Sequence, residues 1–274
     1  MSDRPAWSDA FAPDTLGPAP SLGLPAAITR SWAFGDGTGA GIKVAIVDSG
    51  IDAAHPAVGG VAGGVVIEPD ADAPGGTRER EESHDDLYGH GTACAAIIRG
   101  LAPGAELYSV RVLGTRLTGR AQVFARGLEW CLERGMHVVN LSLSTTNDQY
   151  YARFHELCDR AAFERVLLVS ALANEPKATY PSQFSTVFSV AATDVPVGGV
   201  DHVACNPAPP AEWGAAGIDV EVAWLEGGRI TASGNSFAAP VVAGLLARIL
   251  AAHPGMTPWQ AKTVLAALAD NQPG

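Results

Sequence analysis

Short apolar runs alternate along the chain with longer segments in which apolar residues recur every three or four positions. Residues 42–47 read Ile-Lys-Val-Ala-Ile-Val, and such a run is typical of a strand buried on both faces of a parallel sheet. Within residues 119–134, apolar side chains at Val123, Leu128, Cys131 and Leu132 fit one face of a helix. The same patterns predict further strands at residues 106–113, 138–143, 166–171 and 187–192, and further helices at residues 91–98, 148–163 and 236–251.

This repeated alternation predicts an α/β fold with a mostly parallel central sheet flanked by helices. Residues 1–24 are rich in Pro, Ala and Ser and have no sustained period, so they are predicted to form an N-terminal arm or loose cap. No internal repeat or linker divides the remainder, and residues 25–274 are predicted to form a single domain. Residues 59–86 are predicted to form a surface loop, with the charged run from Glu79 to Glu82 in solvent.

Composition and charge narrow the possible classes of protein. Hydrophobic residues make up 47% of the 274 residues and charged residues 17%, which suits a compact core. The net charge of −11 argues against a nucleic acid partner, because phosphate binding requires clustered Lys and Arg. The sequence has no run of about 18 uncharged apolar residues, so no membrane span is predicted.

The N-terminus and the cysteines bear on cellular location. Residues 1–19 lack a basic stretch followed by an apolar core, unlike a secretory signal. The four cysteines, at positions 94, 131, 158 and 205, form no Cys-x-x-Cys pair and have no metal-ligand spacing. They are predicted to be buried free thiols, so no metal is expected and a cytoplasmic location is favoured.

Three segments carry candidate chemistry. The segment Val-Ala-Ile-Val-Asp48-Ser-Gly delivers a carboxylate at the carboxyl end of a predicted strand, where ligands of α/β sheets collect. His90 lies between two glycines at the start of one predicted helix. Ser236 lies at the start of another, where free N–H groups stabilise negative charge. Read alone, each has an ordinary alternative, namely a turn or cap, a structural histidine, and an N-cap serine.

Together the three segments are far more specific, because Asp48, His90 and Ser236 follow one another in the order found in subtilisin. They resemble the signature blocks of the subtilisin-like serine proteases, and the resemblance continues in order over roughly residues 25–270. Further matching segments are residues 101–113, residues 138–143, Tyr180-Pro-Ser182 and residues 187–192. The resemblance implies a subtilisin-like three-layer fold.

The resemblance also implies roles for individual residues. Ser236 is the expected nucleophile, His90 the general base and acid, and Asp48 the group that orients the imidazole. Asn174, in Ala-Leu-Ala-Asn174-Glu, occupies the place of the family's side-chain oxyanion donor, although a turn residue before Pro176 is the alternative. A peptide or protein substrate is expected to bind as an extended strand between two edges. The expected substrate-binding residues are Thr118, Gly119, Arg120, Ser142, Leu143, Ser144 and Ala173.

The sequence departs from the family pattern after the candidate catalytic histidine. Ala93 and Ala96 stand where relatives have a second His and a Gly. The connection through residues 97–103 lacks the oxygen-rich insertion that binds calcium in many relatives, so neither calcium nor a cofactor is expected there. Three nearby carboxylates are interpreted as solvated or capping groups, with a cation site as the alternative: Asp52, Asp85 and Asp86.

Ser144 and Ala173 stand where many relatives have glycine, which predicts a narrowed first specificity pocket selective for smaller side chains. These features favour an intracellular serine endopeptidase that matures one peptide or protein precursor. Since no inhibitory prosegment is recognisable, we expect its activity to be restrained by the narrow cleft, a regulatory partner or the N-terminal arm.

Two other functions fit the same resemblance. A transpeptidase or macrocyclase would pass the acyl group to an amine instead of water, although family macrocyclases tend to carry insertions over the cleft that this sequence lacks. A catalytically silent peptide-binding domain is the other alternative. The presence of Asp48, His90, Asn174 and Ser236 argues against it, because a silent domain has no chemical need for all four.

Overall fold

The computed structural model describes residues 5–17, 27–196 and 198–272. The helices in these ranges are α1 (Arg30–Phe34), α2 (His90–Leu101), α3 (Ala121–Glu133), α4 (Tyr151–Phe163), α5 (Asn235–Ala252) and α6 (Pro258–Ala267). The strands are β1 (Lys43–Asp48), β2 (Gly63–Pro69), β3 (Thr77–Arg80), β4 (Glu106–Arg111), β5 (Val138–Leu141), β6 (Leu167–Ala171), β7 (Phe188–Thr193), β8 (Val203–Cys205), β9 (Trp213–Ala216), β10 (Val220–Ala223) and β11 (Arg229–Ala232).

Nine strands form one sheet, in the order β3-β2-β4-β1-β5-β6-β7-β9-β8. The seven inner strands of this order all pair in parallel with their neighbours. The two outermost strands, β3 and β8, each pair antiparallel with the strand beside them. In the interior strand β1, Val44 lies opposite Leu107 of β4 and Val138 of β5. Every residue of β1 after Lys43 is buried, which explains its continuous apolar sequence.

Helices cover both faces of the sheet, which confirms the predicted α/β architecture. Helices α2, α5 and α6 share one apolar core with one face, and helices α3 and α4 share a second core with the other. Helix α5 contacts β5, β6, β7 and β9 and crosses beneath the middle of the sheet. Among the described residues, α5 is the one helix long and apolar enough to cross a membrane. Since 78% of it is buried, it is the central core helix of this fold.

The prediction of a surface loop over residues 59–86 is wrong in its middle. Three apolar residues, Val65, Val66 and Ile67, are buried in β2, which pairs in parallel with β4. Glycines and acids on both sides of this run obscured it in the sequence. Strand β3 pairs with β2 at the sheet edge, and the charge run joins α3 through ion pairs from Glu79 to Arg126 and from Glu81 to Arg134.

Part of the predicted N-terminal arm lies within the described residues and packs on the sheet. Phe11 is 8% exposed and contacts the buried residues Leu172, Ala191 and Ala211. Its ring lies over Gly214, where an added Cβ would come within 2.4 Å of it. Residues 5–17 are therefore docked on the protein, while residues 1–4 and 18–26 lie outside the described residues. The proposed division at residue 24 stays a prediction.

Candidate active site

The candidate catalytic residues meet at the carboxyl edge of the sheet. Asp48 is the last residue of β1, Ser142 follows β5, and Asn174 lies beyond the end of β6. His90 is the first residue of α2 and Ser236 the second residue of α5. Parallel strands all end at the same edge of a sheet, so these separate segments converge on one region.

Asp48 and His90 form a buried pair. The Nδ1 atom of His90 lies 2.9 Å from each carboxylate oxygen of Asp48, and the backbone N–H of Ser49 donates to Asp48 Oδ1 at 2.8 Å. Burial by itself would lower the pKa of His90, but the charge and hydrogen bond of Asp48, with a contribution from Asp86, raise that pKa above its usual 6.5. The pair therefore stabilises positive charge on the imidazole.

The glycines on either side of His90 are required by close contacts. Gly89 has a φ of 107°, and a Cβ there would lie 2.7 Å from the indole of Trp224. A Cβ at Gly91 would lie 2.0 Å from the carbonyl oxygen of Gly50. Larger residues at either position would push the start of α2 away from the turn that follows β1.

Asp86 organises the turn that precedes His90. It is 6% exposed, and its two carboxylate oxygens accept five hydrogen bonds of 2.6–2.9 Å. The donors are Ser49 Oγ, the backbone N–H groups of Tyr88, Gly89 and Thr92, and Thr92 Oγ1. The sequence indicated a solvated or capping carboxylate at this position, and the structure shows the cap.

Ser236 is half-buried near the start of α5. Its N–H is one of the first four of the helix, which have no acceptor within the helix. Its carbonyl oxygen accepts a hydrogen bond from Ser142 Oγ at 2.8 Å. Within the described residues no hydrogen bond joins the Ser236 hydroxyl to His90, but the His90 ring packs against Phe237 with the ring centroids 5.4 Å apart.

Cys94 belongs to the same site, although the sequence analysis did not place it there. Its Sγ lies 3.9 Å from Asp48 Oδ2 and 3.5 Å from the carbonyl oxygen of Ser236. Burial and the charge of Asp48 raise the pKa of Cys94 well above its usual 9.0, so the thiol stays neutral. Cys94 follows His90 by four residues on α2, and this spacing was the available signal.

The same three residues raise the question of a metal. The ligand atoms of Asp48, His90 and Cys94 lie within 4.8 Å of one another. However, Asp48 and His90 already bind each other, and Cys94 would have to lose a proton that its surroundings retain. These observations favour a site that works without a metal. The absence of a metal remains a prediction.

Asn174 is exposed at the mouth of the site and is held by the residue before Ser236. Its Oδ1 accepts a hydrogen bond from the N–H of Asn235 at 3.0 Å. The Nδ2 group of Asn174 has no acceptor among the described residues. The buried Asn235 side chain donates to the carbonyl oxygens of Leu172 and Ala173 at 3.2 and 3.0 Å, and accepts from Ala192. Asn235, which the sequence analysis missed, thus fastens the Asn174 segment to the start of α5.

A cleft of about 560 Å³ opens beside Asn174. All of the expected substrate-binding residues line it, namely Thr118, Gly119, Arg120, Ser142, Leu143, Ser144 and Ala173. Ser142 differs from the others because its hydroxyl accepts from Asn140 Nδ2 at 2.8 Å and donates to the Ser236 carbonyl. Its hydroxyl therefore supports the start of α5.

Comparison with solved structures defines the fold class. The crystal structure of a cold-adapted subtilisin-like serine proteinase superposes with a TM-score of 0.62. It covers 82% of this chain and 81% of that protein, at 23% sequence identity. This likeness confirms the subtilisin-like three-layer fold.

Comparison with known sequences defines the family. The subtilase family profile matches residues 39–274, so the chain belongs to the subtilase family of serine endopeptidases. Subtilisin Savinase of Lederbergia lenta is 32% identical over 234 residues, which are 79% of each protein. The Thermostable alkaline protease of Halalkalibacterium halodurans is 32% identical over 230 residues, which are 80% of this chain but 59% of that protein. The chain thus spans about three fifths of the length of that relative.

Proposed function

We propose that this protein is a serine endopeptidase whose catalytic triad is Asp48, His90 and Ser236. The observation that carries the proposal is the buried Asp48–His90 pair beside a serine at the start of the central helix. In the first step, Ser236 Oγ attacks the scissile carbonyl while His90 Nε2 takes its proton. The imidazolium then protonates the leaving amine, and water hydrolyses the acyl-enzyme by the same route.

The Ser236 hydroxyl and His90 are not hydrogen-bonded to each other in the described part of the chain. Catalytic hydrogen bonds often tighten only when substrate binds, so this geometry is compatible with activity. Asp48 stabilises the imidazolium in both steps through its hydrogen bond to Nδ1.

We assign the oxyanion site to the Ser236 N–H and the Asn174 Nδ2 group. Both are donors without an acceptor among the described protein groups, and both are held at the start of α5. Positioned donors of this kind stabilise the charge that develops on the carbonyl oxygen. Asn174→Ala should lower kcat by about 10²–10³-fold with little change in KM, a size taken from the matching asparagine donor of subtilisin. Unchanged kcat would remove Asn174 from this role.

The proposed nucleophile is tested by intact-mass analysis after treatment with a fluorophosphonate, which labels an activated serine with loss of fluoride. We expect one adduct on the native protein, none after heat denaturation and none on Ser236→Ala. The matched control is Ser185→Ala, which removes an exposed hydroxyl before the amino end of β7, at the sheet edge opposite the site, and should label like the wild type. An adduct that persists in Ser236→Ala, or no adduct on folded protein, would contradict the assignment.

Mass analysis of a cleaved peptide separates hydrolysis from acyl transfer. Hydrolysis adds one water across the two products, whereas macrocyclisation adds none. We expect the hydrolytic products because water reaches the exposed Asn174 side of the cleft. A cyclic product would instead identify a macrocyclase.

We further propose that the first specificity pocket accepts small side chains. Ser144 and Ala173 line the cleft where many relatives have glycine, and their Cβ atoms narrow it. The double variant Ser144→Gly/Ala173→Gly should raise kcat/KM for peptides with an aromatic residue before the cut by about tenfold. Cleavage after alanine should change little. A wild-type peptide-library profile that favours large aromatics would refute the idea.

We propose that the enzyme acts inside the cell as a processing protease, restrained by a partner or by the docked arm. All four cysteines are free and buried, which suits a reducing compartment. The alternative is secretion, since the chain is 30% identical over 245 residues to the Minor extracellular protease Epr of Bacillus subtilis. That match covers 35% of Epr. Fractionation of the source cells decides between them: the proposal expects the protein in the cytosol, and its recovery from the culture medium would overturn it.

A further inference from the structure

Cations in this acidic protein are mostly paired with carboxylates. The chain carries a net charge of −11, and most of its Arg and Lys side chains lie within 4.0 Å of a carboxylate oxygen. These include Arg30, Arg78, Arg80, Arg126, Arg134, Arg153, Arg160, Lys177, Arg229, Arg248 and Lys262. Five of the fourteen described arginines have no carboxylate this close, and three of those five lie near one another in the sequence.

Three arginines on a single segment are exceptions. Within the described residues, Arg111, Arg116 and Arg120 make no ion pair, and the recorded hydrogen bond of Arg111 goes to the carbonyl oxygen of Asp85 at 3.3 Å. Arg111 ends β4, and Arg116 and Arg120 are exposed on the segment that leads to α3. This segment contains Thr118 and Gly119, which form one edge of the cleft.

Both cavities beside this edge have an excess of positive charge. The cleft of about 560 Å³ is lined by Arg120 together with Glu175 and Lys177, which neutralise each other at 3.0 Å. A second cavity, of about 400 Å³, shares Thr118, Gly119 and Arg120 with the cleft and is also lined by Arg111.

One carboxylate, Glu68, also lines this second cavity. It is already engaged by Arg80 at 2.9 Å. Among the described residues, neither Arg111 nor Arg120 therefore has a carboxylate partner of its own.

We propose that Arg111 and Arg120 select substrates with an acidic side chain in the stretch of peptide that pairs with residues 118–120. This inference rests on the proposed function and names its substrate class. A peptide strand paired with residues 118–120 sends alternate side chains to the two faces of the paired strands, and Arg120, at the end of this edge, lines both cavities. A carboxylate near this edge can pair with a guanidinium that has no carboxylate partner among the described residues.

The test compares peptides that differ only by Glu against Gln at each position along this stretch. Wild-type enzyme should cleave the best Glu peptide with a kcat/KM about tenfold higher than its Gln counterpart, equivalent to about 1.4 kcal/mol. The ratio should fall toward one in Arg111→Gln/Arg120→Gln. The preference should also weaken between low and high salt, because the cavities are open to solvent.

The matched control is Arg165→Gln, which removes the same charge from an exposed arginine that binds the Gly255 carbonyl oxygen away from the cleft. It should keep the wild-type ratio, and thermal unfolding should show that all variants are folded. A wild-type ratio near one at every position would overturn the proposal. So would a ratio that survives in the double variant or disappears in Arg165→Gln.

Binding to Ser236→Ala separates this inference from the proposed function. This variant keeps the cleft but lacks the nucleophile, so fluorescence anisotropy reports peptide affinity without cleavage. A tighter Kd for the Glu peptide supports the acidic preference even if the wild type fails to cleave any peptide, and equal Kd values contradict it. Failure of fluorophosphonate labelling would count against the triad alone.

Discussion

At the scale of single residues, Asp86 shows how much of the site depends on a group that takes no part in the proposed chemistry. Its carboxylate collects donors from the turn before His90, from the first turn of α2 and from Ser49, the neighbour of Asp48. These contacts hold both halves of the Asp48–His90 pair. The sequence could indicate the triad candidates because their flanking residues are distinctive, but the convergence of five donors on Asp86 depends on the folded turn.

Asp86→Ala should lower the free energy of unfolding by about 3 kcal/mol, because several buried donors lose their acceptor. Denaturant unfolding followed by circular dichroism measures the change. The neighbouring exposed residue provides the control, since Asp85→Ala should stay within about 0.5 kcal/mol of the wild type. Equal effects of the two substitutions would show that the Asp86 network contributes little.

The raised pKa of His90 predicts a direction for the pH dependence. The general base must be neutral, so kcat/KM should rise with pH through a midpoint above 6.5. The same shift means that the pair stabilises the fold fully below about pH 6.5 and less as the pH rises through the folded-state value. Steady-state kinetics between pH 5 and 9, roughly the span of the expected limb, test this. A midpoint below 6.5 would contradict it.

At the scale of elements, the length and regularity of the apolar pattern decided which helices and strands the sequence could predict. The predicted strands and helices overlap β1, β4, β5, β6 and β7 and α2 to α5, because their apolar patterns are long and regular. Strands β8 to β11 are three or four residues long, too short for a periodic signal. Helix α6 was also missed, although its Thr257–Gln260 capping box and Pro258 were visible in the sequence.

The N-terminal arm reaches the candidate oxyanion site, which the sequence did not indicate. The N–H of Ala6 donates to the Asn174 carbonyl oxygen at 2.6 Å, and Asn235 Nδ2 donates to the Ala6 carbonyl oxygen at 3.1 Å. At the other end, Asn271 Nδ2 donates to the Gly17 carbonyl oxygen at 3.0 Å. The described part of the arm, residues 5–17, is thus fixed near Ala6 and Gly17 and by Phe11 between them.

Phe11→Ala should loosen the arm and lower kcat by about tenfold, because Asn174 loses backbone support and even small misplacements of catalytic groups are costly. Substrate affinity should change less, since Phe11 is absent from the cleft lining. Phe11→Leu keeps most of the apolar contact and should retain near wild-type kcat. The prediction fails if Phe11→Ala leaves kcat unchanged while the arm becomes sensitive to proteolysis.

At the scale of the whole molecule, two apolar cores on opposite faces of the sheet hold the fold together without covalent cross-links. All four cysteines are free and buried. Burial raises the pKa of Cys205 to about 11, and the pKa values of Cys131 and Cys158 are also raised. The sequence predicted buried free thiols because Cys131 and Cys158 lie on the apolar faces of predicted helices, and all four cysteines are free and buried in the structure.

A reducing agent should therefore leave the thermal midpoint unchanged, because no disulfide contributes to stability. A thiol reagent should modify none of the cysteines in native protein and all four after denaturation, since buried protonated thiols are unreactive. Calorimetry with and without reductant and a thiol titration measure the two effects. A lower midpoint under reductant would point to a disulfide in solution.

The position of Ser236 on α5 has a consequence for how the enzyme would lose activity. This helix is the centre of the larger apolar core, so the amide hydrogens of its middle turns should exchange with solvent only through global opening. The first turn, which carries the proposed nucleophile, is tied to the sheet by the Asn235 side chain and by the Ser236 carbonyl oxygen. Heat inactivation should therefore coincide with the cooperative unfolding transition. Movements of the exposed Asn174 segment, or of the arm that binds it, could instead change the rate gradually without unfolding the protein.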